Sequence, residues 1–138
     1  MERRQYLRTV GGGITTALTV PVAGCLGDDS YDIGMRASIY APEEFTTSVG
    51  EEVVWKNPST RTHTVTAHEG TMPAGAEYFA SGGFTDQATA YDAWWDSRGG
   101  ALDSGDTFTH TFTVPGTYSY ACVPHETAGM VGTIIVEK

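Results

Sequence analysis

Residues Tyr118 to Met130 read YSYACVPHETAGM, which sets Cys122, His125 and Met130 at C-x-x-H-x-x-x-x-M spacing between two segments of strand-like alternation. A thiolate, an imidazole and a thioether offered from one short loop form a soft to borderline donor set. Such a set suits copper better than zinc, calcium or magnesium. A trigonal site of this kind needs a second imidazole in its plane, with the Met sulfur as a weak, long axial ligand. Another part of the chain must therefore supply a histidine.

On either side of the loop the sequence alternates with a period of two, as half-buried strands do. Thr107 to Val114 sets Phe108, His110, Phe112 and Val114 against threonines, and Pro115-Gly116 turns the chain. Thr117 to Cys122 returns with Tyr118, Tyr120 and Cys122 on one face, and Met130 to Glu137 is a final strand rich in β-branched residues. Further upstream, Tyr31 to Tyr40 reads as a first strand stopped by Pro42. Phe45 to Val49 and Glu51 to Asn57, joined at Gly50, read as a hairpin-like pair with Trp55 as a core anchor, and Pro58-Ser59-Thr60 closes that element as a turn. Residues 69 to 105 break the rhythm. They hold Tyr78-Phe79, Gly82-Gly83, Trp94-Trp95 and Gly99-Gly100, with helix expected over about Ala76 to Ala80 and Thr85 to Ser97. So long an aromatic-bearing insertion is expected to pack over one end of a sandwich. The tryptophan pair is expected to serve that packing, with docking of a partner as the alternative.

The upstream imidazole is sought in His63-Thr64-Val65-Thr66-Ala67-His68. On a period of two, His63, Val65 and Ala67 share one face and Thr62, Thr64 and Thr66 the other, so His63 points inward at a strand start, where it could meet Cys122 and His125. His68, at the strand end beside Glu69 and Gly70, reads as a surface or loop residue. His110, on the apolar side of its strand, reads as a core or rim histidine. Taken singly, Cys122 could be a buried thiol and Met130 a core filler; their spacing with His125 is what argues for ligands.

The chain of 138 residues has room for one ordinary domain, and its 40% apolar content and 17 Gly favour a packed core of short strands and turns. Its 17 acidic and 8 basic side chains give a charge of −9. That argues against nucleic acid, because no basic patch is present to release counterions from phosphates. It favours a cationic partner or a very salty medium, and with Lys56 and Lys138 as its lysines the composition is similar to that of haloarchaeal proteins. The first residues carry Arg3-Arg4, then a weakly apolar run from Val10 to Ala23 that is too short to span a bilayer. This resembles a twin-arginine export signal, and Val22-Ala23-Gly24-Cys25 resembles a lipobox whose Cys bears the lipid. Three parts are therefore expected: a signal peptide over 1–24, lipidated Cys25 with a short tether over 25–30, and a domain over 31–138. Removing residues 1 to 24 would leave 16 acidic and 5 basic side chains and a charge of −11. Cys25 and Cys122 belong to separate motifs, and a disulfide between them is the lesser reading.

The donor trio with His63, together with Phe45-Thr46, Val49-Gly50-Glu51, His63-Thr64-Val65, Gly116-Thr117-Tyr118, Pro124-His125 and Gly129-Met130, resembles the plastocyanin-like small blue copper proteins, or cupredoxins. Halocyanin is the subgroup to which the likeness is greatest. The resemblance covers most of the chain from Tyr31 onward. It implies an all-β fold, a single cupredoxin Greek-key β-sandwich with a partly helical insertion between its middle strands. One copper ion would be held at one end by His63, Cys122, His125 and Met130. Azurin-like loops carry more residues between Cys and His, and a binuclear site needs two loop cysteines, so neither pattern fits. Two departures stand out: Thr64 where the family often has Asn, and Ala121 where plant plastocyanins have Tyr. With every ligand supplied by protein, no position is left open for a substrate. The resemblance therefore implies a mononuclear electron-transfer protein cycling between Cu(I) and Cu(II), not an enzyme, with no small-molecule substrate. It would act as a monomer at the outer face of the cytoplasmic membrane, held through lipidated Cys25. Its expected partners are redox proteins, membrane-bound donor and acceptor complexes. A copper carrier or sensor using the same ligands is the alternative. A Cys-His hydrolase would leave Met130 without a purpose, and a two-centre copper enzyme would need more histidines than His68 and His110.

Overall fold

Alternation of β-branched and aromatic residues with small polar ones builds eight short strands among the described residues, which are 30–138 of this computed structural model. The segment 1–24 and Cys25 lie outside them. The strands are β1 (Ile33–Met35), β2 (Tyr40–Ala41), β3 (Glu44–Ser48), β4 (Glu52–Lys56), β5 (Thr66–Ala67), β6 (Thr107–Thr111), β7 (Gly116–Ala121) and β8 (Val131–Glu137). They form two four-stranded sheets, ordered β2-β1-β4-β6 and β3-β8-β7-β5. The chain crosses repeatedly from one sheet to the other, and the inner faces meet as a β-sandwich. One helix, α1 (Gln87–Ser97), lies in the insertion between β5 and β6. No helix among the described residues is long and apolar enough to cross a membrane.

The period-two reading holds where one sheet face meets the core. Val53 and Trp55 of β4, Tyr118 and Tyr120 of β7, and Ile134 and Val136 of β8 all point inward and are buried. Trp55 lies at the centre, edge-on to Tyr120 at 5.5 Å, with Phe108 at 5.5 Å and Phe79 at 6.1 Å. Gly132 makes room for this core. A Cβ there would lie 2.4 Å from the Tyr120 ring, so only a residue without a side chain lets that ring cross beneath β8.

Three local expectations are corrected. The single strand over Tyr31 to Tyr40 is two short strands, β1 and β2, which fold back on each other antiparallel, with the Arg36 amide donating to the Ile39 carbonyl. The hairpin-like pair does not pair. β3 runs parallel to β8 in one sheet while β4 lies antiparallel to β6 in the other, so Gly50 marks a crossing between sheets. Residues 76 to 80 are not helical. The Ala67 amide donates to the Phe79 carbonyl and the Ser81 amide to the Val65 carbonyl, so this stretch runs extended along β5. The unpaired edge of β5 and a core slot for Phe79, which is 2% exposed, outweigh local helix propensity. The insertion packs against the sandwich as expected, and Phe79 reaches further in, lying edge-on to Phe112 and Tyr118.

The second helix is present, from Gln87 rather than Thr85. Asp86 is its N-cap, with the carboxylate accepting from the Thr89 amide at 2.8 Å, and this bond holds the Asp86 carboxyl below its ordinary range. The segment His63 to Ala67 is buried on both faces, Thr64 and Thr66 included, because β7 flanks it on one side and the insertion on the other. The polar face expected there is thus an interior one, and its hydroxyls find partners inside the protein.

Candidate metal centre

Two stretches of chain meet at one end of the sandwich. Cys122 directly follows β7, and the loop after it is a 3-10 segment, Val123–Ala128. Gly129 closes that segment in the left-handed conformation, at φ 93°. Glycine adopts this conformation without strain, and it returns the chain to Met130 and β8. The Cys122 amide donates to the Met130 carbonyl at 3.1 Å and the Met130 amide to the His125 carbonyl at 3.2 Å, so the loop is closed on itself. His63 arrives from the other side, bridged through its backbone to Leu102.

The side chains converge. Cys122 Sγ lies 3.6 Å from His63 Nδ1 and 3.3 Å from His125 Nδ1, and the three donor atoms all fall within 4.8 Å of one another. Cys122, His63 and Met130 are fully buried, while His125 is partly exposed. The Thr64 amide points at Cys122 Sγ from 3.4 Å, the hydrogen bond a thiolate needs in an apolar place. The structure thus brings three of the sequence-predicted residues together and buries Met130 at the end of the same loop. Two imidazole nitrogens and one sulfur are a donor set that copper fits.

The network behind His63 fixes which nitrogen faces inward. The single proton of the Ser59 hydroxyl is drawn to Asn57 Oδ1 at 2.7 Å or to the Arg61 carbonyl at 3.3 Å. Toward His63 Nε2, at 3.2 Å, the hydroxyl therefore presents a lone pair. Nε2 carries the ring proton and Nδ1 is left bare, facing the sulfur. Asn57 anchors this arrangement. Fully buried, it donates to the carbonyls of Arg61 (2.6 Å) and Leu102 (2.8 Å) while its Oδ1 accepts from the Ser59 amide and hydroxyl. At the exposed side, an Arg61 guanidinium nitrogen lies 3.3 Å from His125 Nε2. A neutral imidazole that gives Nδ1 to a metal carries its proton on Nε2. Arg61 contact and Nδ1 ligation are therefore alternatives for that ring.

Burial governs protonation here. It pushes the Cys122 thiol up to about 11 against the opposing pull of the Thr64 amide, and it lowers His63 to about 4, helped by His125 and Arg61. His125 is lowered by burial and then by Arg61. At neutral pH the metal-free trio is a thiol and two neutral rings, so a cation entering the site must displace a proton from sulfur.

His68 and His110 are not part of the cluster. His68, expected at the surface, is half-buried and bonded to Ser119 and Glu126. His110 stacks on Phe79 at 4.9 Å at the core rim, as expected. The tryptophans divide: Trp94 is buried under the Arg98 guanidinium, while Trp95 is 68% exposed. Cys122 is the free cysteine among the described residues. Sequence reasoning missed Asn57, Ser59 and Tyr40, whose hydroxyl donates to the Thr64 carbonyl at 2.6 Å. The Asn57-Pro58-Ser59 run carried a signal, since Asn before such a turn often accepts from the backbone two residues on.

The family of copper binding proteins described as plastocyanin/azurin matches residues 29–137. The chain is 30% identical over 131 residues to the chloroplastic plastocyanin minor isoform of Arabidopsis thaliana, covering 90% of this chain and 67% of that protein. Against the chloroplastic plastocyanin of Oryza sativa subsp. indica the identity is 32%, over 71% of this chain and 54% of that one, so the chain spans only about half of some of these longer relatives. In fold it is similar to the pseudoazurin of Methylobacterium extorquens AM1, with a TM-score of 0.56 at 21% identity over 78% of this chain and 75% of that one.

Two outcomes follow from the site's construction. Thr64→Val keeps the side-chain shape but removes the hydroxyl that accepts from the buried Val123 amide at 3.0 Å. The metal-free protein should lose about 1–3 kcal/mol, read from urea unfolding. Lowering the pH should also destabilise the metal-free protein. An unfolded His63 takes a proton near 6.5 that the folded ring refuses until about 4, so its contribution is fully present above 6.5 and is lost as the pH falls through that window. His125 and His110, lowered as well, act in the same direction. Urea midpoints at pH 7 and pH 5 would show it, and equal midpoints would contradict it.

Proposed function

Because the chain belongs to the plastocyanin/azurin family of copper-binding proteins, we propose that it is a mononuclear blue copper electron carrier whose one copper ion is held by His63, Cys122, His125 and Met130. The observation that carries this reading is the approach of both Nδ1 atoms to one buried cysteine sulfur, one from the His63 stretch and one from the loop that carries the cysteine itself. The chemistry that a copper ion would supply there is one-electron exchange between its cuprous and cupric forms, at a potential that Met130 and the surroundings of the Cys122 sulfur would tune.

The chain's own residues suit that role by what they hold still. The Thr64 amide stabilises negative charge on Cys122, the Ser59 hydroxyl keeps the His63 ring in its ligating tautomer, and fully buried Met130 excludes water from the inner side. His125 alone brings an edge to the surface, and that edge is the natural exit for an electron. The buried Cys122 speaks against a copper carrier, which must pass its ion by ligand exchange and therefore needs its thiolate within reach of a partner. With all donors from protein, no substrate chemistry is assigned.

The remaining parts of the reading rest on the sequence. Arg3-Arg4 and the apolar run to Ala23 support export as a folded protein, and Val22-Ala23-Gly24-Cys25 supports lipidation of Cys25. The domain would then stand at the outer face of the cell membrane and exchange electrons with membrane-bound redox proteins as a monomer. A strongly acidic surface favours partners that offer positive charge.

Loaded with Cu(II), the protein should show an intense visible thiolate-to-copper band that bleaches on reduction and returns on oxidation. Cys122→Ser should abolish the band in a protein that still folds by circular dichroism, and Met130→Leu should retain the colour at a higher potential. An intense band surviving in Cys122→Ser would refute the thiolate assignment. In the native host, Cys25→Ser should move the protein from the membrane to the soluble fraction, and retention at the membrane would remove the lipid anchor from the proposal.

A further inference from the structure

Outside the ligand cluster, one polar constellation is built against the ligand loop. Glu126 follows His125 directly, and both oxygens of its carboxylate are engaged by other parts of the fold. Tyr91 of α1 donates its hydroxyl to Glu126 Oε1 at 2.7 Å, and His68, just past β5, meets Oε2 through Nε2 at 3.0 Å. The other His68 nitrogen, Nδ1, lies 2.8 Å from the hydroxyl of Ser119 on β7. A carboxylate receiving a donor at each oxygen is held in one orientation, and such charge-assisted bonds are the stronger kind.

The far ends of this arrangement are fixed. The Glu69 amide donates to the Gln87 side-chain oxygen at 2.7 Å and the Gln87 amide to Glu69 Oε1 at 3.1 Å, tying the start of α1 to the turn after β5. Trp94 is buried on the same helix, so Tyr91 projects from a seated element. Burial, and then the bond to Glu126, raises the Tyr91 hydroxyl well above its usual range, so it remains a donor at any physiological pH.

We propose that Tyr91 and His68, acting through Glu126, are positioning residues that latch the ligand loop against the sandwich and so slow release of the copper ion. The proposal deepens the copper reading above and rests on it. The physical argument concerns the loop's freedom. Between Cys122 and Met130 the loop is closed at its base by two hydrogen bonds, from the Cys122 amide to the Met130 carbonyl and from the Met130 amide to the His125 carbonyl. Its outward side would be free to lift without a tie to the body of the protein. Lifting would carry His125 away from Cys122, and the Glu126 latch opposes that motion at the neighbouring residue. The insertion thereby gains a role that its position between β5 and β6 does not by itself disclose.

The test uses the full chain and two conservative variants, Tyr91→Phe and Glu126→Gln, with exposed Trp95→Ala on the same helix as a control. Three measurements are made: release of copper to a chelator in excess, the visible spectrum and reduction potential, and amide hydrogen exchange over His125 to Met130 in the metal-free protein. Each latch variant should release copper roughly tenfold faster, the low end of the 10–100-fold loss of affinity typical when groups bonded to metal ligands are removed, since Glu126 holds the loop and not a ligand ring. Each should also shift the potential and exchange loop amides faster than the parent, and the double variant should be no worse than the stronger single one. Unchanged release and exchange in both variants would overturn the proposal. So would faster release matched by an equal change in Trp95→Ala or by a general loss of protection across the sandwich, because that pattern reports stability and not positioning. If the parent protein bound copper without an intense visible band, the electron-carrier reading would fail instead. Loop exchange in the metal-free variants would still decide whether the latch exists.

Discussion

Two hydrogen bonds between the His63 segment and the ligand loop are what the rest of the site depends on. The Thr64 amide reaches Cys122 Sγ at 3.4 Å, and the Val123 amide reaches back to the Thr64 hydroxyl at 3.0 Å. These bonds join stretches separated by 58 and 59 residues in the chain, and they do so where no water can substitute. An unpaired buried amide costs about 1–3 kcal/mol, so the arrangement resists any shift that would part the two segments. With Thr64 in place, His63 one residue earlier has no choice but to face the sulfur. Tyr40, donating to the Thr64 carbonyl, locks the same residue from the opposite sheet.

Electrostatics then decides how a site of this composition can exist in a folded chain without its metal. A buried thiolate beside two imidazolium rings would place charges where they are expensive to hold. Burial moves each group toward its neutral form instead, the thiol upward and both rings downward. Without a metal the trio is thus uncharged at neutral pH, and a soft cation that binds must displace one proton, from the sulfur.

Much of this was legible in the sequence because short-range patterns carried it. The C-x-x-H-x-x-x-x-M spacing singled out the loop, the alternation of Tyr118, Tyr120 and Cys122 gave the strand leading into it, and the inward phase of His63 put its ring on the side where it lies 3.6 Å from the Cys122 sulfur. Partnership between distant strands was not legible. The glycine at position 50 reads equally as a hairpin or as a crossing, and only the parallel match of β3 with β8 distinguishes them. The alternation put Thr64 and Thr66 on the face opposite His63 without disclosing that this face is interior too; the insertion covers it, and Val123 and Tyr40 use the region as an anchor. The extended course of residues 76 to 80 was hidden for a similar reason: local propensity suggested helix, while the demands of the β5 edge and of a core slot for Phe79 lay elsewhere in the chain.

The loop closure described above has a bearing on how this protein could change over time. Cys122 and Met130 are joined amide to carbonyl at the rung next to the Ala121–Val131 pair, so the intervening segment begins and ends at a single rung of the β7–β8 ladder. Residues could be added to or deleted from the segment without moving the register of either strand, since the ladder ends before the loop begins. The sandwich acts as a socket and the loop as an exchangeable head. Variation in its length would act on the bonds that the loop makes to Thr64, Tyr91 and His68 and not on the pairing of the two strands.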